Sequence, residues 1–496
     1  MRLALIASAA LFLVSALHSA DTSQAAKLDP KFAADSAGSY LLDRNRIIDI
    51  GPMDEMGGDL VFLDSQTLRE GHLHQVAESE FVAGPTLGVD EPVAIRVTFL
   101  RDRRNQINSL RWDGDGIHNA VAKRIAPHKT ESVEAHNGDV VLRGELLMPA
   151  TSGRHPAIVL AHGSGPATRH VGMWNMFFVR LGMAVLSLDK RGAGESTGDW
   201  RAASMDDLAS DWLAGVTFLK SRSDIDPKRI GVHGSSQGGW TAPLMAAQSG
   251  DVAFMIVRAG SGTNIADTIL HEVEWGAREK GLPESEISDG MDAARIAINM
   301  MARGSSTEEY DAAMKPFRSR DSWPDNFPLI DERPRGQNWI RLNTAYDSVD
   351  SIRKIHVPIL WFLADNDHNV PTAISAPRLH QAFDDAGNHD ATLIVLKNAG
   401  HGFTSTSTGN NKDFAKQRHF AAGYWVQWRN GSRRAVSRIN QRSGSVGGIP
   451  EYSHCCSAMG TFPFFQTKSW KARRLNFSPC CMRVSARNFR IWSLPI

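Results

Sequence analysis

Apolar residues fall into two regimes along this chain. From 28 to about 125 they come in short alternating runs, at 39–43, 46–50, 59–63, 93–100 and 107–112, punctuated by turn residues. A period of two sends successive side chains to opposite faces, so these runs predict a small antiparallel β-rich domain over 28–125. Beyond 130 the pattern changes. A hairpin at 131–135 and 140–148, turning at Asn137-Gly138, leads into near-continuous apolar runs at 157–161, 184–188, 229–233, 252–257, 357–363 and 391–396. Stretches of helical period separate them, such as 204–222, which opens on a Ser204-x-x-Asp207 cap. Strands that are apolar at nearly every position need cover on both faces, which predicts an α/β domain over 130–430: a mostly parallel sheet with helices on both faces.

Three segments break this rhythm. The interval 258–356 is too long for a connection, and its stretches 266–280, 285–303 and 307–317 have amphipathic helical period. With Trp275, Trp323 and Trp339, they predict a helical lid over about 260–350; each tryptophan could equally serve its packing, so none is assigned to substrate. At the other end of the chain, Met1-Arg2 precedes an apolar run at 3–17 that is too short for a membrane span and ends in small residues. This predicts a signal peptide at 1–25, a periplasmic or secreted mature protein and no membrane span in it. The third segment is 431–496, where periodicity stops.

Composition sharpens that last boundary. The 496 residues are 42% apolar and 22% charged, as a soluble globular protein with a large core should be. The formal net charge of +1 conceals a split: 432–496 holds 9 Arg and 2 Lys against Glu451 alone, so its +10 leaves −9 for 1–431. All four cysteines lie there as Cys455-Cys456 and Cys480-Cys481, without the separated spacing of a zinc site. The expectation is a basic, disordered tail with no catalytic part. A nucleic-acid- or membrane-binding tail is the rival reading; no nucleic-acid partner is expected.

The chemistry concentrates at strand ends. Gly234-Ser235-Ser236-Gln237-Gly238 lies where an apolar run gives way to a helical stretch. A serine on a sharp strand-to-helix turn needs little bulk on either side, which the two glycines provide, so Ser236 reads as a nucleophile. A serine hydroxyl is a weak nucleophile at neutral pH; an imidazole must take its proton, and a carboxylate must orient that imidazole. Candidates follow in order. The run at 357–363 empties into Ala364-Asp365-Asn366-Asp367-His368-Asn369-Val370-Pro371, and the run at 391–396 into Asn398-Ala399-Gly400-His401-Gly402-Phe403. His401 is the expected base, and Asp367 or Asp365 the acid. A developing oxyanion needs amide donors, expected from Gln237 and from the His162-Gly163-Ser164-Gly165-Pro166 loop, at Ser164 with Gly163 as the near alternative.

On these motifs, with Asp189-Lys190-Arg191-Gly192-Ala193-Gly194-Glu195-Ser196-Thr197-Gly198, residues 130–430 resemble bacterial α/β-hydrolases of the serine-hydrolase superfamily. The group is that of dienelactone hydrolases, S33 aminopeptidases and prolyl-oligopeptidase-like enzymes. The resemblance favours Asp367, three residues before Val370-Pro371, with Asp365 as fallback. It implies an α/β-hydrolase fold and a serine hydrolase that cleaves carboxylic esters through an acyl-enzyme, with no metal or organic cofactor and a small-molecule ester or peptide as substrate. A serine peptidase of aminopeptidase or prolyl-oligopeptidase type is the alternative. A catalytically inactive binding protein on the same fold is the rival from another class, and oligomeric state stays open. Plainer roles are expected elsewhere: His162 as a structural loop residue, Arg191 and Glu195 paired with each other or with solvent, His72 and His74 as surface neighbours.

Overall fold

The computed structural model describes residues 28–432 apart from 44–45, 54–57, 88–90, 126–127, 321–325, 331–336, 411–412, 414–415 and 418. The expected signal peptide, Trp323 and residues 433–496 of the basic tail, with its cysteines, lie outside the described residues, while 431–432 are helical.

After the short helix α1 (Pro30–Ser36), eight strands run β1 (Gly38–Asp43), β2 (Arg46–Pro52), β3 (Leu60–Asp64), β4 (Glu70–Ala77), β5 (Glu80–Ala83), β6 (Ile95–Arg101), β7 (Ile107–Gly114) and β8 (Ile117–Ile125). Each pairs antiparallel with the next, and β1 returns to β8 with Ser39 opposite Ile125 and Leu41 opposite Lys123, closing a barrel. Closure removes both sheet edges. The interior is filled by Tyr40, Ile48, Ile50, Phe62, Phe81, Val97, Phe99, Leu110 and Trp112, with the Phe62 and Trp112 rings edge to face at 5.1 Å. Strand β7 alternates as period two demands: Leu110 and Trp112 point in, Arg111 and Asp113 out. The β-rich unit predicted over 28–125 thus gains three strands that alternation does not reveal. Strand β8, whose sequence is IHNAVAKRI, buries a single residue, Ala122, and so carries no apolar stripe.

The second sheet comprises β9 (Lys129–Asn137), β10 (Val140–Met148), β11 (His155–Ala161), β12 (Ala184–Leu188), β13 (Ile225–Ser235), β14 (Phe254–Arg258), β15 (Ile359–Ala364) and β16 (Ala391–Leu396). Their spatial order is β16-β15-β14-β13-β11-β12-β10-β9. Pairings among β11 to β16 are parallel; β10 is antiparallel to both β9 and β12. The continuous apolar runs reflect burial on both faces. In β11, Ala157, Val159 and Ala161 join one core cluster while Ile158 and Leu160 join the other, and in β15 Trp361 and Phe362 divide the same way.

One face is covered by helix α2 (Trp174–Arg180) and by a final helical run at 424–432. There Trp174, Phe177, Phe178, Phe362, Phe403, Tyr424, Trp425 and Trp428 form a continuous aromatic layer. The other face carries α3 (Met205–Lys220), begun by a Ser204/Asp207 capping box, and α4 (Gly238–Gln248). Between β14 and β15 come α5 (Ile265–Glu279), α6 (Glu284–Ala302) and α7 (Thr307–Arg318), then short helices Gln337–Asn343 and Ser348–Ile352. Their apolar faces, with Ile265, Ile269, Ile287, Met291 and Met314, merge into the cluster of Trp212 and Trp240, and Trp339 is buried. The helical run at 424–432 is preceded by irregular backbone, where His419 bridges to Arg69, Phe420 to Thr404, and Gly423 turns at φ +81°.

The barrel is attached to the α/β domain, not tethered to it. Gly172 N–H donates to the Pro52 carbonyl at 2.8 Å, Leu87 N–H to the Gln417 carbonyl at 2.8 Å, and Arg180 reaches the fully buried Asp49 at 2.7 Å. Val61 and Leu63 of β3 pack into the Trp174 cluster. Among the described residues no helix is long and apolar enough to cross a membrane.

Candidate active site

The site lies at the carboxyl edge of the parallel strands, where α/β sheets place their ligands. Ser236 follows β13 and precedes α4 with φ +52°, a left-handed conformation that a side chain rarely tolerates. Its flanking glycines are required by contact: a Cβ on Gly234 would stand 2.2 Å from the Gly238 carbonyl oxygen, and one on Gly238 2.1 Å from that of Ala161. The turn is pinned by Ser236 N–H donating to the Arg258 carbonyl at 3.0 Å and by Gly239 N–H donating to the Ser236 carbonyl at 2.7 Å. Strain held this way occurs where a side chain must project from the turn.

Three side chains from three strand ends converge there. His401 Nε2 is 3.2 Å from Ser236 Oγ, and His401 Nδ1 lies 2.9 and 3.0 Å from the two oxygens of Asp367. Asp367 Oδ1 also accepts from the Asn369 and Val370 amides at 2.9 and 3.0 Å. Burial alone would push the Asp367 carboxyl up, but the charge and hydrogen bond of His401 hold it below the usual range. The same pair acts in reverse on His401: burial disfavours its cation, yet the Asp367 carboxylate raises the imidazole above its ordinary value. The neighbouring acid Asp365 is elsewhere, accepting from Ala399 N–H at 3.3 Å and 3.6 Å from Lys397.

The expected amide donors stand beside Ser236. Gln237 is its buried successor, Ser164 lines the pocket next to Ser236, and a Cβ on Gly163 would sit 3.5 Å from that of Ser236. The pocket is walled by Trp240, Ala259, Ser261, Ile265, Thr268, Ile269, Glu272, Asn369 and Val370, and leaves about 20 Å³ free, room for about one water. Helix α5 supplies Ile265, Thr268, Ile269 and Glu272 at helical spacing, all on its inner face. Glu272 accepts from Asn369 Nδ2 at 2.8 Å. Burial pushes its carboxyl up to about 7, with the Asp367 charge adding to the rise and Asn369 and His401 opposing it. The adjacent His368 is held down to about 4 by burial and then by the His401 charge.

The family model described as serine aminopeptidase, S33, matches residues 153–406, half of the chain. The chain belongs to that family of α/β-hydrolases. It is similar to the quorum-quenching protein AidA of Acinetobacter baumannii, 25% identical over 257 residues that cover 50% of this chain and 81% of that protein. It is similar as well to a bifunctional esterase/perhydrolase of Acinetobacter calcoaceticus, 25% identical over 282 residues, 52% of this chain and 90% of the relative. Among solved structures it resembles an esterase of Pyrococcus furiosus at 18% identity and a TM-score of 0.38, covering 64% of this chain and 91% of that one. The family model and the esterase/perhydrolase relative support a hydrolase.

Two other residues of this S33-family chain, Arg191 and Glu195, have partners other than each other: Arg191 grips Asp211 at 2.6 and 2.8 Å, and Glu195 meets Arg169 at 2.7 Å. The spacing hid this, because both partners arrive from other segments. His162 contacts the Leu188 carbonyl through Nε2 at 2.6 Å, with its ring edge-on to Trp212. His72 and His74 do share a face, with ring centroids 4.0 Å apart and His72 bound to Asp59, and no group of three or more metal-ligating side chains is present among the described residues. Glu272 and Lys190 were not singled out from sequence. Glu272 left a trace, a carboxylate on the apolar stripe of an amphipathic helix. Lys190 left none.

Proposed function

We propose that this protein is a serine hydrolase that cleaves small carboxylic esters through an acyl-enzyme. The observation that carries the reading is the unbroken chain from Ser236 Oγ through His401 to Asp367, at 3.2 and 2.9 Å. Ser236 Oγ attacks the ester carbonyl as its proton passes to His401 Nε2; the new C–O bond leaves an oxyanion facing the Gln237 and Ser164 amides. His401 then returns the proton to the departing alkoxide, the ester bond breaks, and a water repeats the sequence to release the acid. Asp367 fixes the imidazole with Nε2 free to accept and stabilises its cation. In this reading the helices over 260–350 form a lid: α5 walls the pocket with Ile265 and Ile269 and excludes water from the acyl group. That one of the relatives is an esterase supports reading the substrate as an ester rather than an amide.

A second reading has one observation in its favour. Glu272, a carboxyl in the pocket wall, would pair with an ammonium and select aminoacyl substrates. A panel of p-nitrophenyl esters of graded acyl length, run beside aminoacyl p-nitroanilides, separates the two. Ester kcat/KM at least about 100-fold above any amide, and changed less than about threefold by Glu272→Gln, supports the esterase reading. Preferred cleavage of aminoacyl substrates, lost in Glu272→Gln, would replace it with the peptidase.

A further inference from the structure

Lys190, at the end of β12, is 1% exposed, yet no carboxylate is among its hydrogen-bond partners in the described residues. The carboxylate of its neighbour Asp189 is taken by Arg169 and by the Glu195 amide. A buried amine without a counter-ion disfavours folding, so its retention calls for a reason. Burial lowers its ammonium to about 7, and charged or neutral it has the two N–H groups its partners require.

Those partners identify the reason. Lys190 Nζ donates to the Gly163 carbonyl and to Gln237 Oε1, the latter at 2.8 Å. The Gly163 carbonyl and the Ser164 N–H belong to one peptide unit, and Gln237 carries the amide next to the nucleophile. The single amine therefore ties together the two segments from which the oxyanion donors come, one after β11 and one after β13. We propose that Lys190 is a positioning residue for the oxyanion site: it sets the Gly163–Ser164 peptide and Gln237 so that both amides aim at one oxygen. Donation to the Gly163 oxygen also polarises that peptide and strengthens its N–H as a donor. The proposal rests on Ser236 acting as the nucleophile.

The test compares wild type, Lys190→Met, Gln237→Leu and the double variant on p-nitrophenyl acetate, with rates expressed per site titrated by a fluorophosphonate. Gln237→Leu keeps the backbone amide and removes only the tie. In Lys190→Met, kcat should fall about 10- to 100-fold with KM within about twofold. Phenylboronic acid, which forms a tetrahedral adduct, should lose affinity by a similar factor while the product acid does not. Gln237→Leu should lose less, in the same direction, and the double variant no more than Lys190→Met, as expected of residues acting through one device. A wild-type kcat per titrated site in Lys190→Met, or equal losses for boronate and product, overturns the proposal; if Lys190→Met does not fold, unchanged kcat in Gln237→Leu does so. Labelling that persists in Ser236→Ala would instead overturn the nucleophile assignment, and the two failures are thereby distinct.

Discussion

At the scale of single residues, the site is governed by how Asp367 and His401 alter one another. The Asp367 carboxylate stabilises the His401 cation, so the imidazole stays protonated, and unable to accept the Ser236 proton, to a higher pH than a free histidine would. The sign follows: kcat/KM rises with pH, and the midpoint of that rise lies above the ordinary histidine value of about 6.5. Asp367→Asn should move the midpoint down and lower kcat by about 10⁴ through the wrong tautomer, while Asp365→Asn should leave both near wild type. A pH–rate profile for the three proteins checks this, and a midpoint below that of free histidine would contradict it. The residues alone left the two acids open and the resemblance favoured Asp367; in the structure its carboxylate caps the Asn369 and Val370 amides while facing the imidazole. Lys190 was not legible, since its partners lie at 163 and 237 and meet it only after three strands have assembled.

At the scale of elements, the turn that carries Ser236 is a packing solution before it is a chemical one. Strand β13, the turn and α4 approach β11 so closely that both glycines are dictated by backbone atoms, and this local demand is why the motif could be read from sequence. The helices α5, α6 and α7 were legible for a similar reason, each announced by its own apolar period, and the structure adds a capping box at Ser306 and Glu309 for α7. The join between barrel and sheet was not legible. Its key ion pair links Arg180 at the end of α2 to Asp49 in β2, and Asp49 is fully buried, with burial pushing its carboxyl up against the opposing charge of Arg180. Removing one partner leaves an uncompensated buried group, so Arg180→Ala should lose about 3 kcal/mol, seen as a lower Tm in calorimetry, and Asp49→Asn in the same chain should restore part of it. An unchanged Tm in Arg180→Ala would mean that the contact does not hold the two units together.

At the scale of the whole molecule, the strand order and barrel closure are products of long-range pairing. Alternation gave five of the barrel's strands but not its closure, because the pairing of Ser39 with Ile125 has no local signature and β8 buries only Ala122. The parallel sheet was more legible, since strands buried on both faces must be apolar throughout, and placing β11 between β12 and β13 brings the loops of residues 162–166 and 234–238 side by side. That adjacency is what the chemistry needs. The central claim is that Ser236 is the activated nucleophile, and intact-protein mass spectrometry after exposure to a fluorophosphonate tests it most directly. The account predicts one adduct per chain, mapped to the peptide containing Ser236, absent in Ser236→Ala and strongly slowed in His401→Ala; an unmodified wild-type protein, or an adduct that survives Ser236→Ala, would contradict it.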